Sequence, residues 1–264
     1  MTAVTLITGA SSGIGEAFAR RLAREGHNLF LVARSRDRLS ELCNELSARH
    51  PVKAFFFAVD LAAESSDEKV LLFSQEHCLE VTWLINNAGI GSMGDFAAMP
   101  LGRELEIIDL NIRAVVALTH RFLPQMRNRK SGIIINVSSA AGFQPLPFMA
   151  TYAATKSFVT SFSEALAEEN RPCGIQILAL CPGSTDTAFF RNAGMDRSFS
   201  FKGQQTPEEV VETALRAVRR RRIKAISGFT NSLVARATNF VPNALITSIV
   251  AAGLRRRFQA PDCK

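Results

Sequence analysis

The sequence predicts an α/β fold, a doubly wound parallel sheet covered by helices on both faces. Three observations lead there. Short, unbroken apolar runs rich in β-branched and aromatic residues alternate with stretches of helical periodicity. The glycine-rich and polar motifs fall just after those runs, where open α/β sheets hold their ligands. No internal repeat, low-complexity tract or long linker divides the 264 residues, a length that one core can fill. A three-layer α/β/α arrangement in a single domain is the simplest expectation.

The elements follow in chain order. Val4–Ile7 is the first strand; it runs straight into a glycine loop, so no signal peptide is expected. Gly15–Glu25 has helical spacing, Asn28–Val32 is the second strand, and Arg36–Arg49 is again helical. Lys53–Val59, Trp83–Asn86 and Gly132–Val137 are further strands. Tyr152–Asn170 is a long helix, Ile175–Leu180 a strand, and Ile223–Ser227 a late one.

Composition narrows the class. Apolar residues make up 47% and charged residues 21%, which excludes a disordered chain, a collagen-like repeat and a polytopic membrane protein. The five cysteines form no CxxC pair and have no ligand-like histidine spacing. A disulfide scaffold and a metal site are therefore not expected, and a reducing, cytoplasmic setting is. The net charge of +7 is unevenly placed: residues 1–200 carry 19 Lys+Arg against 20 Asp+Glu, and residues 201–264 carry 12 against 4. No nucleic-acid reading motif accompanies this excess, so nucleic acid is not expected as a partner.

Thr8-Gly9-Ala10-Ser11-Ser12-Gly13-Ile14-Gly15 lies between the first strand and the first helix. Glycines allow a tight turn and close approach of backbone to a pyrophosphate, and a helix N-terminus offers free N–H groups. The spacing is GxxxGxG, a pattern that an ordinary turn can also show. Its place between strand and helix favours a phosphate cradle. The second strand ends at Ala33-Arg34, where NAD-binding folds commonly carry an acidic residue for the ribose hydroxyls. Arg34 suits a 2′-phosphate instead, or else begins a solvated basic helix with Arg36 and Arg38. NADP is preferred over NAD on this ground.

The single tyrosine lies in Tyr152-Ala153-Ala154-Thr155-Lys156. Positions i and i+4 share a helix face, so phenol and ammonium project together. A fixed cation would lower the phenol pKa and make Tyr152 an acid–base group. The alternative is a core tyrosine beside a surface lysine. Ser138-Ser139 closes the strand Ile133–Val137 at the sheet edge, and Asn111 lies on the helical stretch before it.

Taken together, these motifs resemble the short-chain dehydrogenase/reductase family in its single-domain, Rossmann-like branch. The resemblance runs from Thr5 to about Asn231 in the family's order: the 8–15 loop, Asp60-Leu61, Asn86-Asn87-Ala88-Gly89, Asn111, Ser139, Tyr152xxxLys156 and Pro182-Gly183xxxThr187. It implies an NADP(H)-dependent oxidoreductase of class EC 1.1.1.-. The family's serine stands thirteen residues before its tyrosine, which selects Ser139 to hydrogen-bond the substrate oxygen. Tyr152 is then the general acid in reduction, Lys156 holds the nicotinamide ribose and lowers the tyrosine pKa, and Asn111 positions a water in the proton relay. The resemblance also assigns Gly9, Ser11, Ser12, Gly13, Ile14 and Gly15 to the phosphates, Arg34 with Ser11 to the 2′-phosphate, and Asp60 to the adenine. Leu61, Asn87, Ala88, Gly89, Pro182, Gly183 and Thr187 line the rest of the nucleotide site. One departure is Ser12, where many NADP-dependent members have Lys or Arg, so the NADP preference rests mainly on Arg34.

Ser184–Gln205 is where the family keeps its substrate lid, and here it holds Phe189, Phe190, Met195, Phe199 and Phe201. With Phe143, Leu146, Phe148 and Met149 these suit a hydrophobic ketone or aldehyde, or they simply pack the lid onto the domain. A carbonyl reductase assembled as a homodimer or homotetramer is the leading expectation. An NAD-dependent alcohol dehydrogenase and a non-catalytic nucleotide-binding scaffold are the alternatives. Residues 232–264 read as a C-terminal extension beyond the 1–231 domain. Ala237–Leu254 is uncharged but interrupted by Asn239, Pro242 and Asn243 and barely long enough to span a bilayer. From Asn243, Leu245, Ile246, Ile249, Val250, Leu254 and Phe258 recur at helical spacing, before and around Arg255-Arg256-Arg257. Such a basic amphipathic helix packs on the domain, on a partner subunit or on an anionic membrane.

Overall fold

The computed structural model describes residues 1–187, 189, 204–228, 231 and 241–258. Among them the chain runs β1 (Thr2–Thr8), α1 (Gly13–Arg24), β2 (Leu29–Ala33), α2 (Arg36–Arg49), β3 (Ala54–Ala58), α3 (Ser66–Glu76) and β4 (Leu79–Asn86). It continues with α4 (Leu101–Ile108), a π-helical turn at Asp109–Arg113, α5 (Ala114–Arg129), β5 (Gly132–Val137), α6 (Ala150–Asn170) and β6 (Ile175–Cys181). The last elements are α7 (Pro207–Arg219), β7 (Lys224–Ile226) and α8 (Asn243–Phe258).

The seven strands form one sheet in the order β3-β2-β1-β4-β5-β6-β7, and every neighbouring pair is parallel. Strand order reverses direction between β1 and β4, the switch point at which such sheets bind ligands. Alternate strand residues bury on opposite faces, as a pleated strand requires. Ile7, Leu29, Leu31, Ile85, Leu178 and Leu180 join α1, α2 and α7 in one core. Val4, Leu6, Phe30, Val32, Leu84 and Ile177 join α3, α5 and α6 in the other. The doubly wound reading is what the structure shows.

Element bounds moved in informative ways. β4 starts at Leu79, four residues before the expected Trp83, because Glu80 and Thr82 interrupt the apolar run yet alternate with buried Leu79 and Val81. The late strand shrinks to Lys224–Ile226, pairing only with β6. Asn111 does not lie on a regular α-helix: it sits in the π-helical turn between α4 and α5, a local widening that often marks functional positions.

Candidate active site

The loop after β1 carries two of its glycines in the left-handed region, Gly9 at φ +65 and Gly13 at φ +56, a conformation that L side chains resist. Gly15 sits on the first turn of α1, and a Cβ there would collide with the Gly9 carbonyl and the Asn87 side-chain amide. Ser12 is the extended N-cap residue of α1, and its side chain makes no capping hydrogen bond. The N–H groups of that helix start are thus left for an anion.

Two side chains stitch this loop to the end of β4. The Thr8 hydroxyl accepts the N–H groups of Asn87 and Ala88 at 2.9 and 3.0 Å and donates to the Ile85 carbonyl at 3.3 Å. The Asn87 amide donates to the carbonyls of Thr8 and Gly9 at 2.9 and 3.3 Å. Thr8 was not singled out as a site residue, although it opens the glycine motif.

The paired serines part company in the structure. Ser138 Oγ donates to the Lys156 carbonyl at 2.6 Å and meets Thr160 Oγ1 at 2.7 Å, buried between β5 and α6. Ser139 caps the short helical turn Ala140–Phe143 by accepting the Ala141 N–H at 3.1 Å, and its side chain lies next to the Tyr152 hydroxyl. Gly142 lets that turn lie against the α6 backbone: a Cβ there would stand 2.7 Å from the Lys156 carbonyl carbon. Sequence reasoning had passed over Gly142.

Tyr152 and Lys156 are both buried, 7% and 5% exposed, which excludes the surface-lysine alternative. The Lys156 ammonium donates to the Val137 carbonyl at 3.0 Å and stands 5.8 Å from the Tyr152 ring centre. Asn111 accepts the Ile90 N–H at 3.0 Å and donates to the Ile90 carbonyl and the Thr155 hydroxyl at 2.9 and 3.0 Å. The Thr155 hydroxyl in turn donates to the Tyr152 carbonyl at 2.8 Å. Asn111 Oδ1 and Lys156 Nζ converge behind Gly89, 3.1 and 3.2 Å from where its Cβ would be.

The acidity of Tyr152 departs from expectation. Burial pushes the phenol up to about 12, and the Ser139 side chain beside it only partly opposes this. Burial likewise brings Lys156 down to about 8. A cation that is itself desolvated cannot outweigh the cost of a buried phenolate. At neutral pH the phenol therefore keeps its proton. Because its pKa is raised on folding, this group contributes stability that is present below the free-phenol value of ~10 and lost as pH rises through about 12. Absorbance titration of this one tyrosine should give a midpoint near that value in the nucleotide-free protein, and Ser139→Ala should move it higher. A midpoint at or below that of free phenol contradicts the assignment.

One cavity of about 790 Å³ joins these parts. Its floor holds Gly9, Ser11, Ser12, Gly13 and Ile14, and one end holds Arg34 and Leu61. Asn87, Ala88, Gly89, Pro182, Gly183 and Thr187 follow, and Ser139, Tyr152 and Lys156 close the other end. Gly15 and Asn111 stand behind this lining. Asp60 is exposed, its carboxylate accepting the Ala62 N–H at 3.0 Å, and the cavity wall there is Val59 and Leu61. Arg34 is 63% exposed and pairs with Glu106 of α4 at 3.6 Å. Arg38 also reaches the cavity, whereas Arg36 lies over the Phe56 ring. Asn231, unremarked in the sequence as a site residue, packs on Gly183 and donates to the Ser227 carbonyl at 3.0 Å.

Phe143, Leu146 and Met149 line the cavity beside Tyr152. Phe148 does not: its ring faces Phe258 of α8 at 5.7 Å. Phe189 lines the cavity and covers Tyr152, ring centres 5.1 Å apart. Thr185 forms an isolated bridge with Gln205. Phe190, Met195, Phe199 and Phe201 lie outside the described residues. Among the described residues no group of His, Cys, Asp or Glu is arranged to hold a metal ion.

The sequence profile of the short chain dehydrogenase family matches residues 3–198. A human very-long-chain 3-oxoacyl-CoA reductase is 31% identical over 93% of this chain and 74% of its own length. A protein of the same name from Coprinopsis cinerea is 36% identical, over 64% of this chain and 51% of its own length. Among solved structures, a short-chain dehydrogenase from Sphingobium yanoikuyae in complex with NADPH superposes with a TM-score of 0.83 at 32% identity. That match covers 99% of this chain and 97% of the other.

Proposed function

The chain belongs to the short-chain dehydrogenase family, and from that premise we propose that it is an NADPH-dependent carbonyl reductase acting on a hydrophobic ketone. The observation that carries the proposal is that Ser139 and the buried Tyr152 and Lys156 line the same cavity as the glycine cradle. A dinucleotide fits that cavity. Left-handed glycines and an uncapped helix start suit its pyrophosphate. Arg34 and Ser11 suit a 2′-phosphate, and the Lys156 ammonium suits a ribose hydroxyl. Bound NADPH supplies the hydride that reduces the carbonyl carbon.

The chain's own residues manage the proton. Ser139 Oγ accepts the Ala141 N–H, which leaves its one hydroxyl hydrogen to turn from the Tyr152 oxygen to the substrate oxygen when a carbonyl is bound. Tyr152, protonated at neutral pH, gives its proton to that oxygen as charge develops there. The Lys156 ammonium stabilises the phenolate left behind. Asn111 fixes Ile90 and Thr155, and through Thr155 the backbone that carries Tyr152. Nothing in this set is needed by a protein that only binds nucleotide.

For the substrate we infer a long-chain 3-oxoacyl thioester. The wall beside Tyr152 is apolar, built from Phe143, Leu146, Met149 and Phe189, and relatives at 31–36% identity carry the name of 3-oxoacyl-CoA reductases. With a panel of 3-oxoacyl thioesters, kcat/KM should rise with acyl length. A flat profile, or a preference for short polar ketones, removes the substrate assignment.

Cofactor choice has its own test. The exposed Arg34–Glu106 pair is worth little in solvent, so Arg34 is free to exchange that carboxylate for a phosphate. Arg34→Ala should weaken NADPH binding by about 1.5–3 kcal/mol, roughly 10–150-fold, and leave NADH binding nearly unchanged. Titration by cofactor fluorescence measures both. Equal losses for the two cofactors would end the NADP assignment.

A further inference from the structure

The guanidinium offered to a 2′-phosphate has a neighbour of opposite sign. β2 ends at Ala33 without the acidic residue that NAD-binding folds commonly carry there. The acid that meets Arg34 comes instead from α4: Glu106 Oε1 stands 3.6 Å from Arg34 Nη1. Glu106 lies one helical turn before Leu110, which lines the same cavity as Arg34. A fixed negative charge therefore sits at the end of the cavity where cofactors with and without a 2′-phosphate differ.

That charge is held in place from its other side. Arg103 Nη1 donates to Glu106 Oε2 at 2.8 Å, and Arg103 Nη2 donates to the Gly91 carbonyl at 3.1 Å. Gly91 is packed into the catalytic end of the site, where a Cβ on it would stand 3.2 Å from Tyr152 Cδ2 and 2.8 Å from Phe189 Cζ. The Glu106 and Arg103 side chains are 30% and 27% exposed, whereas Arg34 is 63% exposed. Arg34 is thus the partner that can leave, and the carboxylate stays when it does.

A separation of 3.6 Å is too long for a hydrogen bond, so Glu106 acts on Arg34 through charge and does not aim it. Without nucleotide the carboxylate competes for the cation. With a 2′-phosphate on Arg34, the same carboxylate faces a second anion. Both effects oppose NADPH, and NADH, which has a hydroxyl at that position, meets neither. We propose that Glu106 is a specificity-determining residue that limits the preference for NADPH over NADH by competing with the 2′-phosphate for Arg34. This rests on Arg34 reading that phosphate, as proposed above.

Fluorescence titration of the full-length protein and its variants with NADPH and with NADH tests it. Glu106→Gln should tighten NADPH binding about fivefold at low ionic strength and leave NADH binding nearly unchanged. Added salt should shrink the gain, because both side chains are partly exposed. Asp109→Asn removes a carboxylate three residues further on that pairs with Arg113 at 2.9 Å, and should alter neither affinity. Weaker NADPH binding in Glu106→Gln would show that the carboxylate positions Arg34 and would overturn the proposal. Unchanged NADPH affinity, or an equal gain in Asp109→Asn, overturns it as well. Arg34→Ala keeps the two levels apart. If it costs both cofactors equally, the NADP assignment falls and this inference with it; if it is selective against NADPH while Glu106→Gln brings no gain, this inference alone falls.

Discussion

Tyr152→Phe is expected to lower turnover by about 10²–10⁴-fold while NADPH binds with nearly unchanged affinity. The substitution keeps the ring, its contact with Phe189 and the helix, and removes only the hydroxyl beside Ser139. The phenol is raised to about 12 by burial, so near neutral pH it is a loaded acid, as reduction requires. No second tyrosine exists to replace it. Steady-state kinetics beside a cofactor titration measure the two effects separately. A variant with near wild-type turnover on its best substrate would show that the proton comes from elsewhere.

The serine pair should give the second large effect, with a contrast built in. Ser139→Ala removes the donor to the substrate oxygen and should cost about 10²–10³-fold in kcat, with thermal stability little changed. Ser138→Ala acts the other way. Its hydroxyl is buried between the Lys156 carbonyl and Thr160, so its loss removes two buried hydrogen bonds and should cost about 1–3 kcal/mol of stability, although Thr160 still donates to that carbonyl. Activity of the folded Ser138→Ala fraction should stay within a few-fold of wild type. Reversed outcomes would exchange the roles of the two residues.

Much of this was legible in the chain because the site is built at strand ends, where motif and geometry coincide. Val4–Ile7 followed by a glycine loop could be placed without coordinates, and so could Tyr152 and Lys156 on one helix face. Spacing within the family selected Ser139, but only the hydrogen bonds of Ser138 to α6 give a physical reason. The phenol acidity was misjudged because burial is a property of the whole fold: a cation four residues away is visible in sequence, its desolvation is not. The basic run Arg219–Arg222 reads in sequence as a helix end, but the start of α7 went unremarked although Thr206 and Glu209 form a reciprocal cap with Pro207 between them. Thr8, Gly142 and Asn231 act across 79, 14 and 48 positions, on Asn87, Lys156 and Gly183, and no local pattern reports such contacts. The buried chain from Thr119 through Asn86 and Asn136 to Ser163 is of the same kind. It ties β4 and β5 to α5 and α6 beneath the site, and no one segment announces it.

The central claim is a hydride delivered to a ketone carbon and a proton delivered by the protein to its oxygen. Single-turnover reduction of a long-chain 3-oxoacyl thioester with NADPH deuterated at the transferring position tests it most directly, with the product analysed by mass spectrometry. The account predicts a 3-hydroxyacyl product carrying deuterium on the former carbonyl carbon, one equivalent for each NADPH consumed. NADPH left unconsumed across the ketone panel, or consumed without label reaching that carbon, would contradict it.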